Sequence, residues 1–193
     1  MNGEKSPLPV RAPFRFRTIA ILGILTVVLL APFLGKAFHA DDPLFLWAAQ
    51  HIVQHPADPY GFNVTWYTTE EPMWKVAQNP PLTSYYIAGA ASLLGWSELP
   101  LHIAFLPFAL AAILGTYLLA RRLTCLPGLA AVVTLVAPGF LVSSTTLMCD
   151  VMMLAVWIFA ALSWLVGLQS NRPRSEEHTS ELQSRGLISY AVF

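Results

Sequence analysis

Charge is scarce in this sequence. Charged residues make up 11% of the chain and hydrophobic ones 55%, whereas a soluble domain carries about a quarter charged residues to cover its surface. The 11 basic and 11 acidic residues cancel, which removes the positive footprint of a nucleic-acid-binding protein. Cysteine is scarce as well: Cys125 and Cys149 are the only 2, too few for a disulfide framework. Each reads as a small apolar packing residue. His51, His55 and His102 are scattered without metal-ligand spacing.

The few charges crowd into short stretches between long uncharged runs. A bilayer imposes that arrangement, because a charge in the hydrocarbon core costs on the order of 3 kcal/mol. The pattern predicts an all-α, polytopic helical membrane protein whose outer loop carries short interfacial helices.

Residues 1–17 form a basic arm, with Lys5, Arg11, Arg15 and Arg17 against Glu4. Thr18–Gly35 is uncharged, is closed by Lys36, and would reach about 27 Å as a helix. A signal peptide shares this layout, but the run exceeds a signal core and Leu34-Gly35-Lys36-Ala37 is a poor cleavage site. A first uncleaved span over 18–38 is therefore expected. Residues 39–98 are polar, aromatic and proline-containing. Asp42-Pro43 is a good helix start, and Leu44, Phe45, Trp47, Ala48, Ile52 and Val53 give the helix an interfacial character. Asn79-Pro80-Pro81 opens a second apolar run, Leu82–Leu94, too short to span. Three further spans are expected over 99–120, 126–148 and 151–169.

From Arg174 the chain reads RSEEHTSELQS, then RGL, then ISYAVF. The first and last blocks match the translation of consecutive parts of a common short-read sequencing adapter, and the middle codons fit its index. Residues 174–193 are expected to be adapter-derived and stand outside the fold. The natural chain is expected to continue past Pro173.

The positive-inside rule places the N-terminal arm and Arg121-Arg122 in the cytoplasm. The 39–98 loop then lies outside, and the alternation of spans brings Asp41, Asp42 and Asp150 to that outer side. Cys125 and Cys149 fall on opposite faces. Each acid could be a plain helix cap. Adjacent carboxylates near a third could instead raise a pKa, hold a divalent cation or act as a general base.

The order of these features carries a resemblance. A first span is followed by Asp41-Asp42 opening an amphipathic helix, then Asn79-Pro80-Pro81-Leu82 with Tyr85-Tyr86, then Arg121-Arg122-Leu123, then Thr146 to Asp150 before an apolar span. Over nearly all of Thr18–Gln169 this resembles the polyprenyl-phosphate-sugar-dependent glycosyltransferases of the C-type fold, in the protein O-mannosyltransferase and aminoarabinose transferase group. The resemblance implies an enzyme of a bacterial inner membrane, multi-pass with a cytoplasmic N-terminus. Such an enzyme passes a hexose or pentose from a polyprenyl-phosphate donor to a lipid, protein or glycan acceptor. No nucleic acid is implied.

It further implies that Asp41, with Asp42 beside it, carries the catalytic acid, and that Asp150 is a second acid. The family commonly has Asp-Glu where this chain has Asp41-Asp42. It often has His or Glu where Asn79 stands, so no metal ligand is expected there, although a divalent cation remains possible. Lys75 could bind phosphate, or could be a solvated loop lysine. Tyr85 and Tyr86, with Trp66, Tyr67 and Trp74, could stack on sugar or form an interfacial belt. The part of the family that completes the donor pocket lies beyond this chain, so the fragment alone is expected to be inactive. A secondary transporter would place acids inside its spans. A non-catalytic membrane subunit would give no reason for acids of distant segments to share a face.

Overall fold

The computed structural model describes residues 15–169; most of the basic arm and all of the adapter-like block lie outside the described residues. Among the described residues eight α-helices and two short strands follow one another, with a 3-10 turn (Ala31–Phe33) after the first helix. They are α1 (Phe16–Leu30), α2 (Asp42–Gln54), β1 (Asn63–Val64), β2 (Glu71–Pro72), α3 (Met73–Val76), α4 (Leu82–Leu94), α5 (Glu98–Leu123), α6 (Pro127–Val136), α7 (Pro138–Ser143) and α8 (Asp150–Gln169). The architecture is that of an all-α polytopic membrane protein, with one short antiparallel hairpin in which Asn63 faces Pro72.

Among the described residues three helices are long and apolar enough to cross a bilayer: α1 with the 3-10 turn that extends it to Phe33, α5 and α8. Inside lipid, burial of apolar side chains gives little drive between helices, so small residues that allow close approach decide the packing. Helix α5 supplies them. Its Ala109, Ala112 and Ile113 meet Leu22 and Leu30 of α1, Ala131 and Leu135 of α6, and Val151 and Ala155 of α8 in one buried cluster. The opposite faces stay bare: Ile21, Ile24 and Val28 on α1, Val133 on α6, and Trp157, Trp164 and Leu168 on α8 are all exposed. Such apolar surface has one natural neighbour, the acyl chains. Thr26 satisfies its hydroxyl inside this apolar setting by donating to the Leu22 carbonyl at 2.7 Å.

The stretch expected as one continuous span over 126–148 is built differently. It breaks at Ala137, whose ψ of 127° is extended, because Pro138 has no N–H to give and its ring drives the preceding residue out of the helical region. After α7 the hydroxyls of Thr145 and Thr146 bond back to the Val142 and Ser143 carbonyls and the chain turns through 144–149. The two pieces still travel the length of the bundle. Thr18 at the start of α1 lies against Gly128, and Lys36 just past its other end reaches Thr145. The ends of α5 and α8 also meet, where Arg122 donates to Gln169.

A second layer sits over the other end. Phe45, Leu46, Ala49 and Ile52 of α2 pack on Ile87, Ala88 and Ala91 of α4 and on Leu101 and Phe105 of α5. Gly95 closes α4 with φ of 99°, a conformation that favours glycine and lets the chain reverse into α5. Pro107 inside α5 leaves the Ile103 carbonyl without its helical donor. Beside it, the Tyr86 hydroxyl donates to the Ala104 carbonyl at 2.5 Å, which ties α4 to α5.

The α5–α8 seam is the tightest contact of the bundle. A Cβ at Gly115 would lie 2.8 Å from Ile158 Cγ2 and 3.2 Å from a Phe159 ring carbon, whereas one at Gly89 would meet nothing within 4 Å. Gly115→Leu should therefore cost roughly 1–3 kcal/mol through overpacking, with Gly89→Ala within about 0.5 kcal/mol of the parent. Thermal unfolding of both variants in detergent micelles checks this, and equal stabilities would remove the seam from the account.

Candidate functional site

The site is organised by the start of α2. Pro43 fixes the first helical φ, and two adjacent acids precede the apolar stripe, so neighbouring carboxylates point in different directions. Asp42 turns inward and is fully buried. Its Oδ2 accepts the His39 amide at 2.7 Å and its Oδ1 accepts the Leu147 amide at 2.8 Å. Asp41 turns outward. Its side chain is 49% exposed and makes no capping bond to the helix. The nearest cationic candidate is His39, with Nδ1 3.9 Å from Asp41 Oδ2. The same nitrogen lies 3.4 Å from the Asp41 amide, which donates to it. The two acids thus divide into a structural anchor and a half-exposed carboxylate.

The Leu147 amide belongs to the 144–149 turn, and that turn brings in a cation the sequence pattern left unremarked. Lys36 donates to Thr145 Oγ1 at 2.9 Å, two residues from the amide that Asp42 holds. The ammonium has three donors and spends one on Thr145. In the sequence Lys36 marks only the end of an uncharged run. Its proximity to Thr145, 109 positions away, could not be read from local pattern.

Asp150 opens α8 at the same end of the bundle, and its side chain is exposed. No hydrogen bond links it to Asp41 or Asp42. It faces a cavity of about 390 Å³ lined by Thr134, Gly139, Phe140, Ser143 and Leu154. The hydroxyl of Tyr60 lies near by, raised above the ordinary phenol range by burial and by its neighbours Cys149 and Tyr85. Burial and the Asp150 carboxylate push the Cys149 thiol up as well. Both cysteines are free.

The remaining candidates hold the loop. Lys75 of α3 pairs with Glu71 of β2 at 2.8 Å. The Asn79 carbonyl accepts the Tyr60 hydroxyl at 2.7 Å, and Tyr85 donates to the Pro56 carbonyl at 2.7 Å. The ring of Tyr86 stands edge-on to Phe105 and Phe108. The polar atoms of Tyr85 and Tyr86 are thus committed to backbone carbonyls. Among the described residues no three His, Cys, Asp or Glu side chains gather as a metal site. A divalent cation would find Asp41 half-exposed and Asp42 already committed to two amides.

Removing the Asp42 carboxylate leaves the buried Leu147 amide and the partly buried His39 amide without acceptors. Asp42→Ala should cost on the order of 3 kcal/mol, and the Leu147 amide should exchange with deuterium faster than amides in α5. Hydrogen-exchange mass spectrometry on the detergent-solubilised variant measures this, and unchanged protection at Leu147 would contradict the anchor role.

Comparison with known proteins bears on what this end of the bundle serves. The family model described as dolichyl-phosphate-mannose-protein mannosyltransferase matches residues 78–175. No curated protein and no solved structure gives a significant match. The match takes in Asn79, Tyr85, Tyr86, Arg121-Arg122 and Asp150, leaves Asp41 and Asp42 to its N-terminal side, and spans just over half the sequence. The matched residues run through α4 to α8 of the helical bundle, and the chain belongs to the dolichyl-phosphate-mannose-protein mannosyltransferase family.

Proposed function

We propose that this chain serves a membrane glycosyltransferase that takes a hexose or pentose from a polyprenyl-phosphate donor and hands it to an acceptor at the outer face. The observation that carries the reading is the half-exposed Asp41 carboxylate, 3.9 Å from His39 Nδ1 and placed by the Asp42 anchor beside the turn that also holds Lys36. A general base must be open to its acceptor and firmly placed, and Asp41 is both. The donor's prenyl chain runs in lipid against the bare helix faces, which brings its phosphate to the polar layer. Asp41 takes the proton from an acceptor hydroxyl or amine. The acceptor atom bonds to the anomeric carbon as the bond to the phosphate oxygen breaks, and polyprenyl phosphate leaves with the electron pair. Lys36 offsets the charge on that phosphate. Lys75 would have to part from Glu71 to help. Asp150, set apart from Asp41 on its own cavity, fits a role in holding acceptor or sugar hydroxyls.

The same reading sets orientation. Arg15, Arg17, Arg121 and Arg122 share one end of the bundle, which by the positive-inside rule faces the cytoplasm, and Asp41, Asp42 and Asp150 face outward. The protein then sits in the cell membrane, multi-pass, with its N-terminus inside. A carrier is the weaker reading because it calls for acids within the spans, whereas Glu98 and Asp150 each stand in the first turn of their helix.

Asp41→Asn, in protein expressed from its source gene, should lower sugar transfer about 100-fold or more while leaving the melting temperature unchanged. Lys36→Gln should act mainly on the donor KM. Radiolabelled transfer from a polyprenyl-phosphate sugar in isolated membranes reads both, and full activity in Asp41→Asn would sink the general-base assignment. Orientation has its own check: an impermeant maleimide applied to intact cells should label Cys149 and spare Cys125. Only the thiolate reacts, so with its thiol pushed up Cys149 should label slowly at neutral pH and faster as pH rises. Labelling of Cys125 alone would invert the topology.

A further inference from the structure

A second cleft runs along the C-terminal half of α2, from about 7 to about 18 Å along the helix from Asp42. One wall is a single helical face, with Trp47, Gln50, His51 and Gln54 at positions i, i+3, i+4 and i+7. The other is the segment Phe62–Thr65, which contains β1. The cleft is a groove open to solvent with a volume of about 460 Å³, within the roughly 300–1,000 Å³ of small-molecule sites.

The lining chemistry selects among ligands. No Lys, Arg, Asp or Glu lines the cleft, so neither a phosphate nor an amine would find a counter-charge. Gln50, Gln54 and Asn63 are exposed carboxamides, each both donor and acceptor, as sugar hydroxyls are. Trp47 stands edge-on to Trp66 with ring centroids 5.9 Å apart, and this contact fixes an aromatic face of the kind that packs on the C–H face of a pyranose. The His51 ring is held between His55 at 4.7 Å and Phe62 at 4.8 Å. Its Nε2 is shielded from solvent, so His51 contributes a braced ring to the wall rather than a polar contact. An ordinary solvated helix face would carry charges at these positions; this one carries carboxamides and a braced tryptophan.

We propose that the cleft between α2 and Phe62–Thr65 binds an uncharged oligosaccharide, as a docking site separate from the Asp41 centre. The assignment stands on the cleft's own chemistry and does not depend on Asp41 being the catalytic base. Because both sites lie on α2, a glycan held here is presented to the same face of the membrane as Asp41.

The test uses the chain in lipid nanodiscs, with mannotriose and maltotriose as probes and saturation-transfer NMR titration as the readout. At least one trisaccharide should bind. Trp47→Ala and the exposed pair Gln54→Ala and Asn63→Ala should each weaken it about fivefold or more, while Asp41→Asn leaves binding unchanged. Gln54 and Asn63 are exposed, so their variants test the site even if Trp47→Ala disturbs the fold. Absence of binding by both sugars overturns the proposal. So does binding that survives the Gln54→Ala and Asn63→Ala pair, or binding of a neutral serine-rich peptide in place of the sugars.

Discussion

Asp42 accepts amides from His39 and from Leu147, the second 105 positions away in sequence, and the polar end of the molecule is assembled around that carboxylate. A buried acid is costly unless its oxygens are satisfied, and here both are. The bonds fix the start of α2 against the turn that precedes α8. Fixing those two segments settles what flanks them: Asp41 is turned outward because Asp42 is turned inward, and Lys36 comes to Thr145 because the turn is held in place. The pair of acids is therefore one device, in which the inner member orients and the outer member is left half-exposed.

The bilayer supplies the complementary constraint. Lipid offers no partner to backbone groups and little drive for apolar helices to associate. The bundle consequently depends on close approach along α5, where Ala109, Ala112 and Gly115 admit their neighbours. Pro107 and Pro138 each disturb a helix in this setting, and each disturbance lies near the polar layer. The carbonyl of Ala104, next to the Pro107 gap, takes the Tyr86 hydroxyl. The break at Pro138 leads into the turn that Asp42 and Lys36 grip.

Much of this was legible in the charge pattern, because a bilayer writes its constraint directly into sequence. The long uncharged runs became α1, α5 and α8, and Asp42-Pro43 did begin α2. The reading of 126–148 as one helix failed on a residue in plain view. Pro138 lies inside an uncharged run, and absence of charge does not register the ring's exclusion of the helical conformation at Ala137. The division between Asp41 and Asp42 was beyond local reading. Adjacent acids at a helix start look alike until the Leu147 amide chooses one. Lys36 was missed for the same reason, since its meaning depends on Thr145. The cleft along the C-terminal half of α2 needed the β1 segment folded against it, which a two-residue strand does not announce.

The family match and the geometry support sugar transfer from different parts of the chain. The matched residues begin at position 78, so they contain Asp150 and the 144–149 turn but neither Asp41 nor Asp42. A match of that extent would say nothing about an acid at position 41 if the two regions were independent. They are not: the Leu147 amide, inside the matched part, is held by Asp42, and Thr145 is held by Lys36. The unmatched N-terminal segment is thereby built into the polar layer of the matched one. Asp41 is the half-exposed carboxylate of that shared layer, and this placement, rather than adjacency in sequence, is why we propose it for the catalytic role.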